Sequence, residues 1–239
     1  LSMVTCYDYS FARAIDGKVD MILVGDSLGN VVLGCDRTTC VTMNDIERHL
    51  GAVQRGAPNT FIVADLPAGS YETAELAVQN AQHLLTHGAD AIKPEGKPAI
   101  VSALTAENIP VMGHLGYLPQ TAASFKVVGR HQDEAQELLQ HALAIRDAGA
   151  FSLVLECVPA ALAKEISSKL DIPTIGIGSG LDCDGQVLVL YDLLGLFNDF
   201  KPRFVRRYLN MAELVAQAVE QYAADIRNQT FPSKDEEYS

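Results

Sequence analysis

Five short apolar runs in this chain each stop on an ionisable side chain: Met21-Ile-Leu-Val-Gly-Asp26, Phe61-Ile-Val-Ala-Asp65, Ala91-Ile-Lys93-Pro-Glu95, Val111-Met-Gly-His114 and Ser152-Leu-Val-Leu-Glu156. Runs so short and so uniformly apolar belong to strands covered on both faces, and such strands occur in parallel sheets flanked by helices. When parallel strands close into a barrel, their carboxyl ends share one rim. Gathering acids, a lysine and a histidine there carries a desolvation cost that stability alone does not explain, because each charge must be paired or hydrogen-bonded. The rim is therefore the expected active site.

Between the runs a unit repeats: helical pattern, glycine, small or polar spacer, apolar strand, functional end. It is visible from Gly17 to Asp26, from Leu84 through Gly88 to Lys93, and from Ile145 through Gly149 to Glu156. A glycine just past a helix end takes the left-handed conformation that closes the last turn. Residues 3–7 are predicted as the first strand, Asp8 as the cap of a helix over 10–15, and residues 174–177 and 186–190 as the seventh and eighth strands. A long connection over 28–42 precedes a helix at 43–55, and a connection of that length over the strand ends is placed to cover a site. Further helices are expected at 133–148, with Leu138, Leu139, Ala142, Leu143 and Ile145 on its inner face, and around Met211, Leu214, Val215, Ala218, Val219 and Tyr222. This alternation fits a closed (β/α)8 barrel or an open doubly wound sheet. One domain is expected over 1–239, with a polar, frayed tail from about residue 228.

The 239 residues, 48% of them hydrophobic, suit one large core, and the formal charge of -12 disfavours nucleic acid and anionic membrane surfaces as partners. The cysteines, at 6, 35, 40, 157 and 183, are odd in number and lack C-x-x-C spacing, so neither a disulfide framework nor a structural zinc site is expected and a reducing, cytoplasmic setting fits. No apolar run reaches membrane-spanning length and no leader pattern opens the chain. Because the chain begins on Leu1 inside an apparent strand, the sequence says nothing of any segment before it.

Each strand end has a chemical and a structural reading. Asp26 and Asp65 suit a shared Mg²⁺, which takes few protein oxygens, and they suit capping of the next helix equally well. Lys93 requires a carboxylate neighbour or an anionic ligand, and Glu95 is the nearest candidate in sequence. Glu156 ends the most apolar run, where desolvation raises a carboxyl toward general-base values; a structural ion pair is the alternative. His114, between Gly113 and Gly116, is either a donor to substrate or a core histidine bonded to backbone. The glycines of Gly176-Ile-Gly-Ser-Gly180 are followed by another strand instead of a helix, which argues against a dinucleotide loop.

Taken together, Val24-Gly-Asp-Ser-Leu-Gly29, Ala64-Asp-Leu-Pro67, Lys93-Pro-Glu-Gly96, Gly113-His-Leu-Gly116 with Pro119-Gln120, Leu155-Glu-Cys-Val-Pro159, and Gly176-Ile-Gly178 with Asp184-Gly-Gln-Val187 closely resemble the ketopantoate hydroxymethyltransferase family. The likeness runs from Thr5 to Val205 with the motifs in family order and a short deletion after Gly96. The resemblance implies a (β/α)8 TIM barrel of the phosphoenolpyruvate/pyruvate type, Mg²⁺ dependence, 5,10-methylenetetrahydrofolate as co-substrate, and a homo-oligomeric, decameric assembly in the cytoplasm. It implies transfer of a hydroxymethyl group to 3-methyl-2-oxobutanoate, giving 2-dehydropantoate for pantothenate biosynthesis through a Mg²⁺-stabilised enolate. Carried residue by residue, it makes Asp26 and Asp65 metal ligands with Glu95 near the metal through water. Ser27 and Lys93 would hold the 2-oxo acid, with His114 beside it, and Glu156 would accept the proton. The chain departs from the family pattern at Pro94, Leu118, Tyr191 and the loop from Gly34 to Cys40.

Overall fold

The computed structural model describes residues 1–238. Its strands are β1 (Ser2–Thr5), β2 (Met21–Val24), β3 (Phe61–Asp65), β4 (Ala91–Lys93), β5 (Met112–Gly116), β6 (Ser152–Glu156), β7 (Thr174–Ile177) and β8 (Gly185–Leu188). They form one eight-stranded sheet in the order β4-β3-β2-β1-β8-β7-β6-β5, and every pairing is parallel. Between the two end strands lies a single parallel bridge, Ile92 to Val111. Two backbone bonds reinforce it, from Ile92 N to Pro110 O at 2.9 Å and from Gly96 N to His114 O at 3.0 Å. The barrel is thus nearly closed, and the open doubly wound alternative is set aside.

Successive strand residues point to opposite faces, so every other side chain fills the barrel. Met3, Met21, Leu23, Val63, Ala91, Met112, Val154, Ile175 and Val187 form that interior, with at least one residue from each strand. The helices of this part are α1 (Tyr9–Ile15), α2 (Leu28–Val31), α3 (Met43–Gly56), α4 (Ala74–Thr86), α5 (Pro98–Ala106), α6 (Gln132–Asp147) and α7 (Ala160–Lys169). Asp8 caps α1 by accepting from Phe11 N at 3.0 Å, and Thr42 with Asp45 makes a reciprocal capping box on α3. Gly17, Gly88 and Gly149 all have positive φ, as their helix-ending role requires. At the amino-terminal rim, carboxylates bind strand amides: Asp20 accepts from Ser2 N, Asp90 from Ile62 N and Asp184 from Thr174 N, at 2.7 to 2.8 Å.

The chain divides into two compact units, Leu1–Val189 and Leu190–Ser239. The first contains the barrel. The second holds α8 (Leu190–Leu193), α9 (Met211–Arg227) and a short 3-10 turn at Lys234–Glu236. The amphipathic stripe on α9 is solvent-exposed at Leu214, Val215, Val219 and Tyr222, with Phe231 edge-on to Tyr222 at 5.4 Å.

Four details differ from the sequence reading. β1 stops at Thr5 and β8 at Leu188, two residues short of the apolar runs that suggested them. β5 continues to Gly116, so His114 sits inside the strand and not at its end. β4 stops at Lys93, because Pro94 brings no amide to a ladder, and Glu95 lies on the loop beyond. The connection after β2 carries α2 and a 3-10 turn at Thr38–Cys40, which folds the chain back until Cys35 and Cys40 are 6.6 Å apart at Cα and joined by a disulfide. The absence of a disulfide expected from cysteine count and spacing is corrected there, while Cys6, Cys157 and Cys183 are free.

Candidate active site

The register of the barrel levels the chemistry. Asp65 pairs with Lys93 across β3 and β4, and Gly116 pairs with Glu156 across β5 and β6. The sequence-predicted site residues stand at or just past the carboxyl ends of neighbouring strands, except His114, two residues inside the end of β5, and Asp26, Asp65, Lys93, Glu95 and His114 are buried.

At one side, the Lys93 ammonium lies 2.9 Å from Asp65 Oδ1. Glu95, the partner expected from sequence, makes no ion pair with Lys93 and acts on it through its charge alone. Asp65 Oδ2 accepts from Asp26 N at 2.9 Å, which ties the end of β3 to the turn after β2. Asp65 is thus an acceptor for another strand's turn, and Ser27, not Asp26, occupies the cap position of α2. The helix-capping reading of the two aspartates is not what the geometry gives. Apart from the ammonium, Asp65 Oδ1 is buried with no hydrogen-bond donor.

On the other side, His114 links three groups. Its Nε2 is 3.1 Å from Glu156 Oε2, while its Nδ1 is 3.5 Å from Lys93 Nζ and 3.6 Å from Glu95 Oε1. Burial, reinforced by Lys93, drives the imidazole pKa well below its usual value, so the ring is neutral. A neutral ring with its proton on Nε2 donates to Glu156 and presents Nδ1 as an acceptor toward the ammonium.

The acids differ by environment. Burial pushes Glu95 up to about 9 against the opposing pull of Lys93, and it pushes Glu156 up to about 7. Burial, then the charge of Asp65, raises Asp26. Burial alone would lower Lys93, but Asp65, Glu95 and Asp26 together outweigh it and keep the ammonium charged. The side chain of Glu156 is 18% exposed, whereas those of Asp65, Glu95 and His114 are each 3% exposed. Asp26 and Glu156 are both raised to about 7, and of the two Glu156 is the one open to an incoming molecule, Asp26 being buried.

The backbone around Glu156 is specialised. Cys157 is buried with φ of 51°, a left-handed conformation that a non-glycine residue holds only when its surroundings impose it. Bonds from Cys157 N to Ile177 O and from Val128 N to Cys157 O fix it. Gly116 has φ of 99°, and a Cβ there would run into the carbonyl oxygen of Glu156. The glycine turn after β7 serves the same corner, since Ser179 Oγ donates to Leu155 O at 2.7 Å and accepts from Val158 N at 3.1 Å.

Gln120, Tyr71 and Tyr7 escaped the sequence reading as functional groups of the site. Gln120 Nε2 donates to Asp26 Oδ2 and to Leu66 O, both at 2.9 Å, its backbone N–H donates to Glu95 Oε2 at 3.2 Å, and its Oε1 accepts from Tyr71 OH. None of the three lies on a strand, and no periodicity marks them. Tyr7 OH bonds Ser27 Oγ at 2.8 Å. Above the rim, Arg37 Nη2 donates to Ala122 O at 3.0 Å, so the disulfide-closed loop touches the segment that carries Gln120.

A parallel barrel with a buried acid–imidazole–ammonium cluster at its strand ends is the layout of a (β/α)8 enzyme. Solved structures agree on the fold: a phosphonopyruvate hydrolase complexed with oxalate and Mg²⁺ superposes with a TM-score of 0.63 at 15% identity, covering 99% of this chain and 88% of that one. A 2,3-dimethylmalate lyase of the PEP mutase/isocitrate lyase superfamily gives 0.61 at 16% identity, covering 100% and 86%. Sequence comparison is more specific. The family model described as ketopantoate hydroxymethyltransferase matches residues 1–234. The 3-methyl-2-oxobutanoate hydroxymethyltransferase of Heliobacterium modesticaldum is 49% identical over 247 residues, 100% of this chain and 90% of the relative. That of Moorella thermoacetica is 50% identical over 248 residues, covering 100% and 91%. The chain belongs to the ketopantoate hydroxymethyltransferase family and is an enzyme of that type.

Proposed function

We propose that the chain transfers a hydroxymethyl group from 5,10-methylenetetrahydrofolate to 3-methyl-2-oxobutanoate, giving 2-dehydropantoate, the first committed step toward pantothenate. The observation that carries this reading is the pairing of a buried, charged Lys93 with Asp65 beside a neutral His114 that orients the accessible carboxyl of Glu156.

The donor set suits a divalent cation. Carboxyls of Asp26, Asp65, Glu95 and Glu156 face one ammonium, Asp26 is raised partly by the charge of Asp65, and Asp65 Oδ1 has no hydrogen-bond donor besides that ammonium. Asp26 and Asp65 would hold Mg²⁺, with Glu95 nearby. When bound, Mg²⁺ supplies the positive charge that polarises the 2-oxo acid and acidifies its C3–H.

The chain's own residues do the rest. Lys93 and the Ser27 hydroxyl hold the small anion, a role in which a charge-assisted bond contributes about 1.5 to 3 kcal/mol. Glu156 takes the C3 proton, and His114 fixes the carboxylate that receives it. Gln120 clamps Asp26 and the main chain after β3. The carbanion forms a bond to the folate-borne methylene carbon, both C–N bonds of that carbon break, water supplies the hydroxyl oxygen, and the C3 proton together with one from water goes to the two nitrogens of the departing tetrahydrofolate. An oligomer, a decamer by family resemblance, and a cytoplasmic setting complete the proposal. No described helix is long and apolar enough to cross a membrane.

The test is consumption of methylenetetrahydrofolate in the presence of 3-methyl-2-oxobutanoate, with and without Mg²⁺, together with Mg²⁺ titration of Asp26→Ala and Asp65→Ala. Folate-dependent turnover that requires metal, and weakened titration in both variants, are expected. Folate-independent cleavage of a 2-hydroxy acid would instead make the chain a lyase on the same scaffold. Unaltered titration would remove the two aspartates from the metal site.

A further inference from the structure

On the outer face of the barrel, Glu47 of α3 meets His83 and His87 at the end of α4. Among the described residues, these are the ones whose three ligand atoms all lie within 4.8 Å of one another. His83 Nε2 is 2.9 Å from Glu47 Oε2, and His87 Nε2 is 3.2 Å from Glu47 Oε1. The two rings stand four residues apart on one helix face, with centroids 4.3 Å apart.

The hydrogen bonding fixes which nitrogen of His87 is available. His87 Nδ1 is 2.8 Å from the carbonyl oxygen of His83, and a carbonyl only accepts, so Nδ1 carries the proton. A neutral His87 therefore turns a bare Nε2 lone pair toward a carboxylate oxygen. Two acceptors at that distance repel unless a proton on the ring or a metal cation lies between them. Holding Nδ1–H on a backbone carbonyl is also the device that orients a metal-binding imidazole.

We propose that Glu47, His83 and His87 form a surface site for a borderline divalent cation of the zinc class, which staples α3 to α4. Nitrogen and oxygen ligands on a tetrahedral Zn²⁺ stand about 3.3 Å apart, given bonds of about 2.0 to 2.1 Å. The observed 2.9 and 3.2 Å, each to a different oxygen of Glu47, are close to that spacing, and the three ligand atoms need only draw in from within 4.8 Å of one another. Two imidazoles favour Zn²⁺, Ni²⁺ or Cu²⁺ over Mg²⁺, which sets this site apart from the oxygen-rich strand ends. The three side chains are between a third and a half exposed, and Glu47 and His83 line a cleft of about 380 Å³ with Asn44, Gln79 and Thr86, which leaves the fourth position open to water or a small anion.

Zn²⁺ alone is the probe. The intact protein, held in excess Mg²⁺, is titrated with ZnCl2 against a chromophoric chelator, and Co²⁺ spectra report the ligand field. Wild type should take up one more Zn²⁺ per chain than His83→Ala/His87→Ala, gain melting temperature on Zn²⁺ addition, and show Co²⁺ d–d bands of low coordination number. The single variants His87→Gln and Glu47→Gln should each bind Zn²⁺ roughly tenfold or more weakly. Equal Zn²⁺ uptake by wild type and the double variant, or a Zn²⁺-induced stabilisation unchanged by the substitutions, would overturn the site and leave a plain ion pair in its place.

Discussion

Replacing Glu156 by glutamine removes a proton acceptor and preserves its shape, which makes it the most direct probe of the strand-end chemistry. Burial lifts the carboxyl from 4.5 to about 7, making the carboxylate roughly 300-fold stronger as a base, since each pK step is tenfold. With half of that gain expressed in the transition state, burial accounts for roughly 15- to 20-fold, and positioning by His114 at 3.1 Å supplies the remainder of a general-base effect of about 10² to 10⁴. A loss near the middle, about 10³-fold, is expected. The assay is exchange of the C3 hydrogen of 3-methyl-2-oxobutanoate with deuterated solvent, followed by NMR without folate and with Mg²⁺ present, so that proton removal is observed apart from transfer. Because the carboxyl must be ionised to act, the wild-type rate should fall as pH drops below a midpoint near 7 and level off above it, and the variant should show no such step. A variant that exchanges at the wild-type rate, or that keeps the step, would refute the assignment and shift the role to His114.

Three other substitutions test the surrounding structure. Lys93→Met strands the buried charge of Asp65 and should destabilise the fold by about 3 to 5 kcal/mol in denaturant titration, with Asp65→Asn in the same chain restoring part of the loss; additive losses would mean the pair is not coupled. Gln120→Leu strips the donor from Asp26 Oδ2 and Leu66 O and should weaken Mg²⁺ binding by roughly 10- to 100-fold with the barrel's circular dichroism intact, and unchanged affinity would relegate Gln120 to packing. Gly116→Ala combines a left-handed backbone with a collision at Glu156 O and should cost about 3 kcal/mol or more; a melting temperature equal to wild type would show that the β5–β6 contact relaxes freely.

What the sequence discloses about this site follows the range over which its signals act. Asp26, Asp65, Lys93 and Glu156 are legible because each closes an apolar run, and burial next to a charge is written in adjacent residues. Glu95 and His114 are legible as site members but not in position: Pro94 ends β4 before Glu95, while apolar Leu115 and Gly116 carry β5 past His114. Gln120 is another matter, for it reaches Asp26 across 94 positions of sequence from a loop whose path no local pattern dictates. The disulfide is hidden for a related reason. Cys35 and Cys40 are brought together by a 3-10 turn inside a connection that reads as structureless.

The single bridge between Ile92 and Val111 makes the barrel resemble a ring fastened by a clasp. Seven of its eight junctions are continuous ladders, so local opening should begin at the eighth, where Pro94 and Pro110 bring no amide hydrogens to share. The chemistry is hung across that clasp. Lys93 and Glu95 belong to one side, while His114 and, through it, Glu156 belong to the other. When the clasp loosens, the anion-binding ammonium and the proton acceptor part company. A substrate held by both would act as the pin, so that filling the site and locking the barrel become one event, visible as slowed amide exchange at Ile92 and Gly96.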